Sequence, residues 1–335
     1  MRPVDHVKKD VDSLHRYVEL LQEKADAQGP IGRAEVIRVA ESVEPADLRV
    51  FQAVLNWLAC GARSVFLQDA DSLIIKPADL VEILAYLKMH FPWVERITSY
   101  ARAHTVARMK DADLKAIGDA GLNRIHIGLE SGSDKVLEMI KKGVTQERQI
   151  QAGIKVKSAG MELSEYVMPG LGGRALSQEH ARQTADALNR INPDFIRLRT
   201  LAIPESAPLS EEYRAGRFEM CTDQMVAQEI MTFIERLDGI TSTVTSDHLL
   251  NLFGDLEGAL PRDKERMLAI PRTFLALDPE HQRLYQVGRR LGIFLCLGDM
   301  EDPGRSASAE RAYRELGVTP DNVDAIMDEL MRRFI

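Results

Sequence analysis

The sequence predicts an α/β fold: a parallel sheet of five βα units, drawn into a barrel or partial barrel, with a helical region after it. Three observations carry this. An amphipathic helix that ends in a small residue and glycine, followed by a β-rich run, recurs as ACGARSVFLQ from Ala59, DAGLNRIHIGL from Asp119 and SAGMELSEYVM from Ser158. The β-rich runs are about thirty residues apart, the length of one strand-plus-helix unit. Strands alternating with helices at this spacing pair in parallel with right-handed crossovers. Five repeats in one direction favour a barrel over a doubly wound sheet, although periodicity alone does not separate the two.

Taken in order, Val11, Leu14, Val18 and Leu21 give the first helix one apolar face. Residues 26–59 read as short helices joined by turns. Strands are expected near Ser64–Gln68, Ile97–Ala101, Arg124–Leu129, Leu163–Met168 and Phe195–Leu201. Gly61, Gly121 and Gly160 suit the left-handed position that stops a helix. Pro77 fits the first turn of IIKPADLVEILAYLKMHF, Ser133 or Asp134 the cap of DKVLEMIKK, and Ser177 the cap of QEHARQTADALNRI. Beyond Leu201 the repeat breaks and the chain reads as added helices, with MEDPGRSASAERA as a polar linker. The organisation predicted is a helical segment over 1–63, a β/α barrel core over 64–210 and a helical extension over 211–335.

The composition is that of an ordinary globular chain: 335 residues, 45% hydrophobic and 28% charged. No apolar run approaches the ~20 residues of a membrane span, and MRPVDHVKKDVDSL has no apolar core of a secretion signal. A net charge of −8 argues against a general nucleic-acid binder and leaves room for a local basic patch. Cys60, Cys221 and Cys296 form no pair at metal-ligand spacing. They suit a reduced, cytoplasmic setting. Cys60, between a helix and a strand, reads as a small buried hydrophobe.

In parallel barrels ligands sit at the C-terminal ends of the strands. That rule nominates Gln68, Asp69, Ala70 and Asp71, then Ser99, Tyr100 and Arg102, then Glu130 to Ser133, then Pro169 to Gly173, then Arg199 and Thr200. These carboxylates, hydroxyls, arginines and mobile glycines suit a polar, zwitterionic small molecule with a sugar. They include no histidine base, cysteine nucleophile or cluster of metal ligands. A carboxylate at the end of a buried strand is costly without a partner, which singles out Glu130. The alternative reading of Asp69 and Asp71 is as caps of the helix that follows, and Lys141 and Lys142 read as charges complementing a helix end. His104 and His180 read as surface residues, and His126 is open between inward and outward.

GLESGSDKVLEMIKKGVT, with SYARAHTV before it and YVMPGLGG after it, resembles strands three to six of a radical S-adenosylmethionine (radical SAM) domain, over roughly Ser64 to Leu209. The resemblance implies S-adenosylmethionine and a [4Fe-4S] cluster as cofactors, an electron donor, and a small-molecule or unknown substrate. It implies that Glu130, with Ser131 beside it, meets the ribose hydroxyls, and that Asp69 and Asp71 lie toward the methionine amino group. Ser99 and Arg102 would contact its carboxylate, and Val167, Met168, Pro169 and Gly170 would lie against adenine. Where many members have Gly-Gly-Glu, this chain has Gln68-Asp69-Ala70-Asp71. The Cys-x3-Cys-x2-Cys loop that holds the cluster is absent, so no metal ligand is assigned. RPVDHVKKDVDSL resembles the helix after that loop. The sequence therefore reads as a truncated radical SAM enzyme without its first strand and cluster. The alternative is a cluster-free barrel that binds a nucleoside-like ligand or a protein partner. A Schiff-base barrel aldolase is disfavoured because no lysine lies in or at the end of a predicted strand.

Overall fold

The computed structural model describes residues 2–28, 32–68 and 70–333. Along the chain run α1 (Val4–Gln28), α2 (Arg33–Glu41), α3 (Leu48–Ala59), β1 (Ser64–Leu67), α4 (Pro77–His90), β2 (Arg96–Ala101), α5 (Ala103–Arg108), α6 (Asp111–Asp119), β3 (Arg124–Glu130), α7 (Asp134–Met139) and α8 (Gln146–Ser158). Then come β4 (Glu162–Val167), α9 (Gly173–Ile191), β5 (Phe195–Leu198), α10 (Leu209–Arg214), α11 (Asp223–Arg236), β6 (Thr243–Thr245), β7 (Gly258–Ala259), α12 (Lys264–Ala276), α13 (Pro279–Arg290), α14 (Pro303–Glu315) and α15 (Val323–Arg332). The fold is α/β, with one mostly parallel sheet whose strands follow chain order from β1 to β7. Two compact units are recognised, residues 1–125 with 158–161, and residues 126–157 with 162–335.

In the first unit β1 and β2 pair in parallel, Val65 opposite Ile97 and Leu67 opposite Ser99. Gly61 and Gly121 carry positive φ (86° and 116°) and end the helices before β1 and β3 as the sequence predicts. Val11, Val18 and Leu21 are buried on α1, which packs on α3 and α4. Burying each such side chain contributes roughly 1.5–3 kcal/mol. The free edge of β1 is partly covered. Trp57 donates its indole N–H to the Ser64 carbonyl at 2.7 Å, and Val11, Leu14, Ala53 and Trp57 line a shallow cleft against Ser64–Phe66. Cys60 is exposed rather than buried. It follows the last turn of α3, past the apolar face that Phe51 and Val54 bury.

In the second unit β4–β5 and β5–β6 are parallel, and β6–β7 is antiparallel. β6 and β7 correct the reading of everything after Leu201 as helical. Each is three residues or fewer, too short for a period-two pattern to emerge. Val167, Ile196, Leu198 and Val244 form the buried face of this sheet, and Val167 lies against His180, Ala181, Ile230 and Phe233 of α9 and α11. The other face carries the half-buried Tyr166, Arg197, Arg199 and Thr245. The supposed linker at MEDPGRSASAERA is largely α14. Asp302 caps it by accepting from the Gly304 and Arg305 N–H groups, and Pro303 opens it. Asp-Pro is a start signal as well as a turn signal.

Candidate functional site

The predicted site residues of the first unit are engaged locally. Asp69 lies outside the described residues. Asp71 is nearly buried and does not cap the short helical turn after it. Its carboxylate accepts from the Arg102 N–H at 3.2 Å and the Thr105 hydroxyl at 2.6 Å, which ties it to the first turn of α5. Ser99 is wholly buried and donates to the Tyr100 carbonyl at 3.1 Å. Arg102, at the cap of α5, is exposed.

In the second unit Glu130 ends β3 with φ at +60°, a left-handed conformation that side chains adopt only when the surroundings hold them there. Its carboxylate folds back over Gly128, where any Cβ would collide with it. It pairs with Lys142 at 3.2 Å, so Lys142 is a partner of Glu130 rather than a charge for the helix end. Glu165, on the neighbouring β4, is wholly buried. Burial, and after it the charge of Glu130, pushes its carboxyl well above the usual range. Two acids thus lie in one region, the half-buried, ion-paired Glu130 and the wholly buried Glu165, whose charged form burial disfavours.

Ser131, Met168 and Gly170 meet in a buried hydrogen-bonded network that the sequence did not suggest. The Ser131 hydroxyl accepts from the Ser133 N–H at 3.0 Å and donates to His180 Nδ1 at 2.8 Å. His180 Nε2 donates to the Met168 carbonyl at 3.1 Å, and the Met168 N–H to the Glu130 carbonyl at 3.0 Å. Glu229 accepts from the Gly170 N–H at 2.7 Å and the Ser177 hydroxyl at 2.5 Å. His180 is therefore core, not surface. Ser177 is not a cap either, because α9 begins at Gly173, a turn earlier. Burial lowers His180 to about 4 and raises Glu229 to about 7. The network fixes the Met168–Gly173 turn, in which Gly170 has φ +86°. Gly170 is buried, and a Cβ there would meet Val226 and Leu201 at ordinary contact distance, so its positive φ rather than lack of space calls for glycine.

The open face beyond carries His126 stacked on Tyr166, with ring centroids 5.6 Å apart, and Arg199 over the same Tyr166 ring at 5.1 Å. His126 thus faces Tyr166 and is nearly buried. Period-two alternation along β5 was the available signal for Arg197 and Arg199. Nothing local marks Glu229, which reaches the loop from a helix 59 residues after Gly170.

Residues 38–185 match the model of the Radical SAM superfamily. This part of the chain belongs to that superfamily. Two tRNA uridine(34) acetyltransferases are similar to part of this chain. That of Methanocaldococcus infernus is 25% identical over 100 residues, 30% of this chain and 19% of its own length. That of Methanocaldococcus jannaschii is 24% identical over 118 residues, 35% and 22%. The chain spans about a fifth of the length of these curated relatives. Among solved structures, the archaeal Methanocaldococcus infernus Elp3 with an N-terminal deletion is 15% identical with a TM-score of 0.47, covering 60% of this chain and 53% of that one.

The radical SAM superfamily implies S-adenosylmethionine and a [4Fe-4S] cluster. The cluster does not fit the residues present. Such clusters are held by thiolates. Cys60 is exposed while Cys221 is half-buried, where burial and then the charge of Glu229 push its thiol up to about 12. Among the described residues, no three His, Cys, Asp or Glu side chains come together to hold a metal. S-adenosylmethionine itself fits better. Glu130 offers a carboxylate at a strand end, and the Met168–Gly173 turn offers a fixed backbone edge.

Proposed function

We propose that this chain provides the S-adenosylmethionine-binding face of a radical SAM enzyme. Glu130 would take the ribose hydroxyls, and the Met168–Gly170 backbone would lie along the adenine. Asp71, Ser99 and Arg102 stay as weaker proposals for the methionine end, since Asp71 and Ser99 are committed to local hydrogen bonds and Arg102 alone is exposed. The observation that carries the reading is Glu130, held in a left-handed conformation with its carboxylate seated over Gly128. A strained backbone kept at a strand end is a mark of function. The superfamily cleaves S-adenosylmethionine reductively to a 5′-deoxyadenosyl radical at its cluster. No step of that cleavage is assigned to these residues, because they do not fit the cluster. A second reading is a cluster-free domain that binds a nucleoside-like ligand; it is favoured by the scatter of His, Cys, Asp and Glu among the described residues, no three of which come together to hold a metal. The named relatives are matched over less than a quarter of their length, so a tRNA substrate is not carried over. No helix among the described residues is long and apolar enough to cross a membrane, and a cytoplasmic setting with a small-molecule substrate is part of the proposal.

Isothermal titration with S-adenosylmethionine and S-adenosylhomocysteine tests it. Each charge-assisted hydrogen bond contributes only ~1.5–3 kcal/mol and association costs at least ~4 kcal/mol. A dissociation constant in the high micromolar range or weaker is expected, and Glu130→Ala should weaken it more than Asp71→Ala does. Equal affinity of the wild type and Glu130→Ala removes Glu130 from the site.

A further inference from the structure

The open face of β5 carries more positive charge than its surroundings use. Arg197 and Arg199 are two residues apart on one strand and therefore on one face. Both guanidinium groups turn to a single carboxylate, that of Asp247 just after β6. Arg199 Nη1 donates to it at 2.7 Å and Arg197 Nη1 at 3.2 Å. Two cations against one anion leave a net charge of about +1. Beside them, burial first and Arg199 second lower the pKa of His248, against the pull of Asp247, and so disfavour a further positive charge there.

We propose that Arg197 and Arg199, with Tyr166 beneath them, form a binding subsite for the carboxylate or phosphate group of a substrate, and that Asp247 is a built-in competitor which the incoming anion displaces. The proposal rests on reading the open face as the ligand face. Three features support it. Arg199 is pre-organised: its guanidinium carbon sits 5.1 Å from the Tyr166 ring centroid, and it donates to the Leu198 carbonyl at 2.9 Å. A planar guanidinium grips carboxylate or phosphate in two-pronged fashion. The frame around them is fixed. Asn251 is buried and binds the Thr200 N–H, the Leu198 carbonyl and the Ser246 hydroxyl at 2.9–3.0 Å. Ser246 adjoins Asp247, so the loop holds its place while the Asp247 side chain turns. That side chain is about half exposed, at 48%. Ion pairs this accessible are weak, and exchanging one carboxylate for another anion leaves the arginines where they are.

The test titrates the full chain with inorganic phosphate and with malonate, each against sodium chloride at matched ionic strength. The wild type should bind at least one of the two in the millimolar range. Asp247→Asn should tighten binding about tenfold by removing the competitor, a change of ~1.4 kcal/mol. Arg197→Gln and Arg199→Gln should each weaken it about tenfold or more. Tighter phosphate identifies a phosphate-bearing ligand, and tighter malonate a carboxylate. Failure here is separable from failure of the cofactor reading. Glu130→Gln should leave anion binding unchanged, and Arg199→Gln should leave S-adenosylmethionine binding unchanged. Asp247→Asn is nearly isosteric and serves if an arginine variant does not fold. No binding of either anion by Asp247→Asn, or arginine variants that titrate like the wild type, would overturn the proposal.

Discussion

Replacing Glu229 by glutamine should change how stability depends on pH. In the wild type Glu229 is raised from 4.5 to about 7, so the folded state holds its proton more tightly than the unfolded chain does. The stability this contributes is full below pH 4.5 and is lost as pH rises to about 7. At ~1.36 kcal/mol per pKa unit the loss is on the order of 3 kcal/mol. His180 does the opposite. Lowered from 6.5 to about 4, it contributes stability that is full above pH 6.5 and is lost as pH falls to about 4, again on the order of 3 kcal/mol. Between about pH 4.5 and 6.5 the two slopes cancel, and the wild type should be nearly flat there. Glutamine resembles the neutral acid: its carbonyl still accepts from the Gly170 N–H, and its amide still meets Ser177. Glu229→Gln should therefore gain stability with rising pH, by up to ~1.4 kcal/mol per unit between about pH 4 and 6.5. It should exceed the wild type by a few kcal/mol near pH 8. Urea unfolding at about pH 5, 6, 7 and 8 measures both curves. A variant no more stable than the wild type near pH 8, with a parallel profile, would show that Glu229 is not held as a neutral acid.

Four further outcomes are expected. Gly128→Ala places a methyl against the Glu130 carboxylate and the Lys142 ammonium; it should weaken S-adenosylmethionine binding in calorimetry while changing the melting temperature little, and unchanged binding would mean the Glu130 pose is dispensable. Arg290→Leu leaves the buried Asp223 without its 2.6 Å partner and the Leu250 carbonyl without its donor; a loss of about 3–5 kcal/mol in urea unfolding is expected. Gly132→Ala drives a methyl into the backbone of α9 at Gln183 and Thr184, and should lower stability by about 1–3 kcal/mol. Iodoacetamide should label the exposed Cys60 well before Cys221, whose thiol is held protonated; mass mapping that finds Cys221 labelled first would contradict its burial.

The strands were legible wherever a glycine stop and a run of β-branched or aliphatic residues coincided. Gly61, Gly121 and Gly160 all take the left-handed backbone that their positions predicted. β6 and β7 were not legible, since a three-residue strand is specified by its neighbours rather than by its own pattern. Glu130 stood out because a carboxylate at the end of an apolar strand is costly without a reason. The network behind it did not. His180 and Glu229 sit in amphipathic helices, where a polar residue ordinarily marks the solvent side. Only the fold shows that they turn inward to satisfy a loop more than ten residues away in each case. Sequence spacing carries local geometry, and these bonds are made by tertiary geometry.

The left-handed backbone at Glu130 sets two selective pressures against each other. Holding a non-glycine residue there costs roughly 1–2 kcal/mol, which glycine would recover at once. A drift toward Glu130→Gly is therefore favoured by the backbone term and opposed by the loss of the Lys142 partner and by any use of the carboxylate. In a population freed from that use, glutamate retained at position 130 together with a changed residue 142 would report continued demand for a ligand, whereas the two changing together would mark the ion pair as the reason for both.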